Sequence, residues 1–255
     1  MFRIDLSNKT VLITGATSGI GLGIAHQMAL AGASISGCSE SADGKKFLEE
    51  LSVYNNRTLY TQCDVTVVAD VDNLIKETIA CFGSIDILVS NAGQNVFYGV
   101  ADTSEKDWEA NINLNLASHW RLSQKCRPYL ELSRGVIIVM SSNHAFGAIP
   151  GCFPYNIAKT ALLGLVRSLT TEWGPAIRTV GIAPGFIDTP GNQTWFDSFA
   201  EPDVERTRTI DLHPVGKLGT VEEIGGWCVF LCSKYAAFAA GVTYLIDGGR
   251  SALLQ

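Results

Sequence analysis

The sequence has no basic run, no long apolar stretch and no cluster of metal-ligating residues, and each absence excludes a class of function. Nineteen Lys and Arg are scattered among 25 Asp and Glu, leaving a net charge of −6. Polyanions are held by a concentrated positive face, so neither nucleic acid nor an anionic membrane surface is expected as a partner. No window approaches the ~18 uninterrupted apolar residues of a bilayer span, and no membrane insertion is expected. The opening "MFRIDLSNKTVLITG" lacks a signal-peptide apolar core, so the expected location is cytoplasmic. The seven cysteines (38, 63, 81, 126, 152, 228 and 232) are odd in number and irregularly spaced, which predicts free thiols in a reducing compartment. Cys228 and Cys232, within the apolar "GWCVFLC", are expected in a helix core. No His, Cys, Asp and Glu fall at metal-ligand spacing and no serine sits in a Gly-x-Ser-x-Gly elbow, so no metal is expected and a serine hydrolase is disfavoured.

What is present is a regular alternation. With 47% hydrophobic and 17% charged residues in 255, the chain has the composition of a globular protein. At this length one domain can bury roughly 70–75% of its unfolded surface. Short β-rich runs occur at 9–14, 33–38, 57–63, 85–90, 135–141, 178–183 and 242–247. Stretches with helical spacing lie between them, at 19–31, 44–53, 68–82, 104–130, 154–173 and 220–233. Strand–helix alternation predicts parallel βαβ units, and runs apolar on both faces predict a sheet covered on both sides. The expected fold is α/β: a single doubly wound Rossmann-type domain spanning 1–255, with a seven-stranded, mostly parallel sheet. Gly32 and Gly83 stand where helices should end, and Pro154 where one should begin. No linker, repeat or low-complexity tract interrupts the pattern. One long irregular segment, 184–219, is of the kind that is usually functional.

"VLITGATSGIG" places Gly15, Gly19 and Gly21 between the first strand and first helix, with Ser18 and Ile20 among them. Glycines there allow a tight turn and let a pyrophosphate approach the amides of a helix N-terminus. In "SSNHAFGAIPGCFPYNIAK" (141–159), Tyr155 and Lys159 are four apart on an expected helix and share one face. A phenol ionises near pH 10. An ammonium ~4 Å away at an effective dielectric of ~20 contributes about 4 kcal/mol, enough to bring a phenol close to neutrality. Ser142 ends the fifth strand, at the carboxyl edge where open α/β sheets bind ligands.

The glycine spacing, G-x-x-x-G-x-G, together with the Ser142–Tyr155–Lys159 set, resembles the short-chain dehydrogenase/reductase family over nearly the whole sequence. "CDVT" (63–66) is similar to the family's adenine-contacting turn, with Asp64 and Val65; "SNAG" (90–93) is similar to its Asn-Ala-Gly turn, with Asn91, Ala92 and Gly93. Ser90 departs from the commoner Asn of that turn. "APGFIDT" (183–189), with Pro184, Gly185, Ile187 and Thr189, resembles the segment against the nicotinamide, and "LIDGG" (245–249) the terminal strand and turn. The resemblance implies an NAD(P)-dependent alcohol dehydrogenase or ketoreductase. In it Tyr155 exchanges the proton, Ser142 positions the substrate oxygen, and Lys159 lowers the tyrosine pKa and bonds the nicotinamide ribose. It further implies a catalytic Asn in the preceding helix. "DWEANINLNLASH" offers Asn111, Asn113 and Asn115, and the spacing from Trp108 selects Asn115, with the other two expected at the surface.

At the end of the second strand the family selects its cofactor. Ser39 stands at the usual Asp position and Glu40 where NADP enzymes often carry Arg, while Ser18 replaces another base. A carboxylate facing the 2′-phosphate costs about 1–4 kcal/mol at ordinary effective dielectric, so NAD is favoured. NADP remains the alternative, with Glu40 turned to solvent and Lys45 or Lys46 taking the phosphate.

His144, Asn95 and Trp195 are candidate substrate contacts, whereas His26, His119 and His213 are expected at the surface. By resemblance 184–219 is a substrate-covering lid, and its Trp195, Phe196 and Phe199 suit sugars and polyols, aryl alcohols or steroids. "TPGNQTWFD" and "EWGP" are similar to bacterial-type sugar or polyol dehydrogenases, the favoured substrate class. The alternatives are a 3-ketoacyl-carrier-protein reductase, a hydroxysteroid-type dehydrogenase and, in another class, a non-catalytic nicotinamide-sensing protein. A homotetramer is implied, with 104–130 and 154–173 packing across one interface.

Overall fold

The first strand, β1 (Thr10–Thr14), is "TVLIT", buried along its whole length. It feeds α1 (Gly19–Leu30), β2 (Ser34–Ser39), α2 (Lys45–Ser52), β3 (Thr58–Gln62), α3 (Val68–Phe82) and β4 (Ile87–Ser90). After a short strand β5 (Phe97–Tyr98) come α4 (Glu105–Ile112), α5 (Ser118–Ser133) and β6 (Val136–Met140). Then follow β7 (Phe153–Pro154), α6 (Tyr155–Trp173), β8 (Arg178–Pro184), α7 (Pro190–Asp197), α8 (Pro202–Asp211), α9 (Val221–Cys232) and β9 (Thr243–Ile246). The structure is a computed structural model that describes residues 4–54 and 57–253.

Seven strands form one sheet in the order β3-β2-β1-β4-β6-β8-β9, every pair of them parallel. Side chains alternate between two cores, as the period of a strand requires. Val11, Ile13, Ile87, Val89, Val136 and Ile138 face one side, where α1 and α9 supply Ile24, Met28, Ile224 and Leu231. Leu12, Leu88, Ile137 and Val139 face the other, against Leu74 of α3, Leu122 and Cys126 of α5, and Leu162 and Val166 of α6. Parallel strands covered on both faces give a doubly wound, Rossmann-like sheet. No helix among the described residues is long and apolar enough to cross a membrane.

α1 and α9 approach closely because glycines face the contact. A Cβ on Gly23 would lie 2.4 Å from Val221 Cβ, and one on Gly225 would lie 2.6 Å from Gln27 Cγ. Gly23→Val is therefore expected to destabilise the protein by about 1–3 kcal/mol through overpacking, read as a lowered urea midpoint at unchanged slope.

The structure differs from the sequence expectations in three places. The helix expected over 104–130 is interrupted by a π-helical turn, Asn113–Ala117. The irregular segment 184–219 contains α7 and α8, each with Pro at its start and Thr189 capping the first by accepting from Asn192 N. His119, His213 and Asn111 are buried and not at the surface. His119 is held by Ser90 across the α5–β4 contact (2.7 Å to its Nδ1), and the His213 Nδ1 bonds Thr209 O within its own helical turn.

Candidate active site

The chain adds strands outward from β1 to β3, then returns to the other side of β1 with β4. That reversal opens a crevice at the carboxyl ends of β1 and β4. Gly15 and Gly19 turn the chain there with φ of +63° and +52°. A Cβ on Gly21 would lie 2.0 Å from Gly15 O, so only glycine fits. Ser18 is exposed and extended, and its hydroxyl caps no amide of α1. The first amides of a twelve-residue helix are thus open to an anion, and half-buried Ile20 follows Gly19 in its first turn. These residues fit a dinucleotide's pyrophosphate.

Two further segments border the turn, and two more lie at the ends of β2 and β3. Thr14 Oγ1 accepts from the amides of Asn91 and Ala92 (both 3.0 Å), and Asn91 Nδ2 donates to Thr14 O (2.9 Å). Asn91 thus ties the Asn-Ala-Gly turn to β1. Thr189 Cγ2 lies 3.5 Å from a Cβ built on Gly19, which brings 184–189 against the glycine turn. Within that segment Pro184 and Ile187 are buried, and the Gly185 amide donates to Ile246 O (2.9 Å). Asp64 is occupied locally, accepting from Thr66 N (2.8 Å) and Thr66 Oγ1 (2.7 Å), while the carbonyl of buried Val65 accepts from Arg121 (3.1 Å). At the end of β2 the Ser39 hydroxyl bonds the Tyr60 hydroxyl (2.8 Å), whereas Glu40 is exposed.

Ser142, Tyr155, Lys159 and Asn115 are buried together. A Cβ on Gly93 would lie 2.8 Å from Asn115 Oδ1 and 3.3 Å from Lys159 Nζ, so glycine there lets the two side chains meet. Asn115 sits in the π turn, a feature often found at functional sites. Its Oδ1 accepts from Gln94 N and its Nδ2 donates to Gln94 O (3.1 Å each). Lys159 Nζ donates to Met140 O (3.1 Å) and lies 5.5 Å from the centre of the Tyr155 ring. Burial lowers Lys159 to about 8. Burial also raises Tyr155 well above the ordinary phenol range, while the Ser142 hydroxyl works the other way. The ammonium is set over the ring and anchored to a carbonyl, so in the polypeptide itself desolvation outweighs the expected lowering, and the phenol holds its proton at neutral pH.

His144 joins this set from above, its ring 6.1 Å from that of Tyr155. Phe97, which sequence reasoning missed, completes an aromatic wall at 5.8 Å from His144 and 5.7 Å from Tyr155. Its only signal was an aromatic pair just after Asn95; pairing of β5 with β7 carries it into place. Asn95 is exposed in the same loop. Trp195 packs on Phe186, Phe196 and Phe199, a cluster apart from this wall. Ser90, the departure from the commoner Asn, is matched by His119, which burial and then the Lys159 charge keep well below the usual imidazole range.

Known proteins are similar to this chain in sequence and fold. The family model described as enoyl-(acyl carrier protein) reductase matches residues 15–251. Over 257 residues the chain is 34% identical to the dehydrogenase/reductase SDR family member 4 of Homo sapiens, covering 99% of this chain and 91% of that one. It is 33% identical to the (2S)-[(R)-hydroxy(phenyl)methyl]succinyl-CoA dehydrogenase subunit BbsD of Thauera aromatica, over 97% and 98% of the two chains. The solved aldohexose dehydrogenase of Thermoplasma acidophilum superposes with a TM-score of 0.90 at 27% identity, over 99% and 98%. A glycine turn beside a buried Ser-Tyr-Lys set, on a sheet of this order and with relatives matched along their whole length, leaves one assignment: the chain belongs to the short-chain dehydrogenase/reductase family, whose members are oxidoreductases that use NAD(P).

Proposed function

We propose that the protein interconverts a secondary alcohol and its carbonyl compound, with Tyr155 as the general acid and base. The observation that carries this is the burial of Ser142, Tyr155, Lys159 and Asn115 around one point beside the glycine turn. Bound NAD(P) would supply the acceptor or donor of a hydride; Gly15, Ser18, Gly19, Ile20 and Gly21 would hold its pyrophosphate, with 184–189 over the nicotinamide. Asp64 and Val65 would meet the adenine, and Asn91, Ala92 and Gly93 would line the crevice floor. Ser142 Oγ, already accepting from His144 N (3.2 Å), orients the substrate oxygen toward the phenol. Tyr155 gives its proton to that oxygen during carbonyl reduction and takes it back during alcohol oxidation. Lys159, charged below about pH 8, favours the phenolate when the proton leaves. Asn115 would hold a water that returns the proton to solvent.

NAD is the cofactor we favour. Ser39 is engaged with Tyr60, Glu40 is free to meet ribose hydroxyls, and Lys45 and Lys46 pair with Glu49 (3.8 Å) and Glu50 (3.7 Å). The ratio of kcat/KM values should favour NAD, and Glu40→Arg should move that ratio toward NADP by about tenfold or more, since removal of a carboxylate–phosphate repulsion is worth about 1–4 kcal/mol. A tenfold preference of the wild type for NADP overturns the assignment.

For the substrate we favour a sugar or polyol, with 184–219 as its lid; the aldohexose dehydrogenase and the partly exposed Trp195 and Phe199 support this. The competing class is an acyl thioester, favoured by the Thauera relative's name. Cofactor absorbance during a panel of sugars, polyols, hydroxysteroids and acyl thioesters separates them. Exposed Trp108, Trp120 and Leu132 on α4 and α5 support a homotetramer built across these helices and α6, tested by light scattering. Seven free cysteines support a reducing, cytoplasmic setting.

A further inference from the structure

The wall beside the reacting phenol is made of rings. Phe97, His144 and Tyr155 meet pairwise edge-to-face, with centroids 5.7–6.1 Å apart and planes at 72–78°. Backbone pairing sets Phe97 at this place. It pairs with Pro154, the residue before Tyr155, and Tyr98 pairs with Phe153. Phe153 is backed in turn by the Trp108 ring, stacked on it at 5.5 Å. Strand register therefore fixes the spacing of Phe97 from the phenol. Yet Phe97 remains 45% exposed, while Tyr155 is 6% exposed. A rigid apolar surface, open to solvent beside a buried reacting group, is one that a substrate would cover.

This wall is poor in hydrogen-bonding groups. Ser142 Oγ accepts from His144 N (3.2 Å) and donates to Asn143 Oδ1 (3.3 Å), and it has the substrate oxygen to hold. Burial keeps His144 below the usual imidazole range, so its ring is uncharged at neutral pH. An open-chain polyol carries hydroxyls on every side, and any of them laid on Phe97 loses water with no partner in return. A hydroxyacyl chain lacks those hydroxyls but must freeze several rotatable bonds to lie flat. A saturated ring avoids both costs. Its hydroxyls radiate from the rim, its faces are C–H, and its torsions are fixed before binding. Such a face meets the flat side chain of Phe97 in van der Waals contact over its whole area.

We infer that Phe97 determines specificity, and that the carbinol carbon of the substrate belongs to a ring whose C–H face lies against it. This rests on the alcohol–carbonyl reading above and narrows its substrate class to cyclic alcohols, ring-form sugars among them.

The test sets rings against open chains of the same carbon number: glucopyranose against glucitol, and cyclohexanol against hexan-3-ol. A 3-hydroxybutyryl thioester forms a further arm. Wild type, Phe97→Ala, Phe97→Leu and Phe97→Trp are assayed with each. The wild type should favour the ring by at least about fivefold in kcat/KM. Phe97→Ala should cut that preference by about 3–10-fold, mainly through KM. Phe97→Trp should keep it, whereas Phe97→Leu, apolar but not flat, should lose part of it. A general disturbance of Tyr155 would lower the turnover of rings and chains alike and leave the ratio unmoved. Such an unmoved ratio overturns the inference, as does wild-type turnover of glucitol, hexan-3-ol or the thioester equal to that of the rings. A ring preference in either pair that Phe97→Ala removes supports it, and the faster pair tells a sugar ring from a carbocycle. Ligand-observed NMR with tetrahydropyran and ethyl propyl ether, neither of them an alcohol, reads the same wall without turnover. Ring-selective binding lost in Phe97→Ala, with no alcohol oxidised, upholds the ring site and overturns the alcohol–carbonyl reading alone. Oxidation confined to open-chain alcohols does the reverse.

Discussion

Tyr155→Phe is expected to lower kcat by about 10²–10⁴-fold, the range lost when a positioned general acid–base group is removed, with nicotinamide affinity nearly unchanged. The ring stays where it packs against Phe97 and His144, so the walls of the pocket survive and only the exchangeable proton is lost. Burial holds that phenol protonated at neutral pH, which suits donation to a carbonyl oxygen. Alcohol oxidation needs the phenolate, so its rate should climb with pH above neutrality while carbonyl reduction does not. Stopped-flow turnover in both directions and a fluorescence titration with the nicotinamide check these outcomes. Retention of most activity by the phenylalanine variant removes Tyr155 from the chemistry.

The parts of this site visible in the sequence were those carried by local spacing. Gly15, Gly19 and Gly21 fall in one turn, and Tyr155 and Lys159 on one helix face, so no distant contact was needed to find them. The strands were legible for the same reason: "VLIT", "ILV" and "VIIVM" are apolar on both faces and bounded by turn residues. What was hidden depends on partners far along the chain. His119 is polar on a helix and looks solvent-facing until Ser90, 29 residues away, is brought beneath it. Phe97 reaches Tyr155 only through the pairing of two short strands. The π turn at Asn113–Ala117 left a partial trace, since three asparagines in a helix are poor propensity, but their spacing does not reveal a change of hydrogen-bond register. α7 and α8 had their start signals, Thr189–Pro190 and Glu201–Pro202, yet neither shows a strong apolar period behind them.

The tyrosine cannot be considered apart from its lysine, and Lys159→Met should expose what that lysine costs the fold. At 3% exposure Lys159 is lowered to about 8 from an ordinary value of 10.5. Below about pH 8 folded and unfolded chains both hold the proton, and the penalty of a buried ammonium is fully present. Between about 8 and 10.5 the unfolded chain binds more protons than the folded one, so this group's contribution to stability rises with pH. Integrated over that window, the wild type should gain about 3 kcal/mol on Lys159→Met. At neutral pH the variant escapes the desolvation penalty but leaves Met140 O without its donor, a loss of about 1–3 kcal/mol that offsets much of the gain. Its activity should fall by about 10²-fold or more, because the phenolate loses the nearest positive charge. Urea unfolding of both proteins from pH 7 to 10.5 reads the difference directly. Parallel stability curves would mean that Lys159 is not the buried titrating cation, and stabilisation of the phenolate during turnover would then need another source of charge.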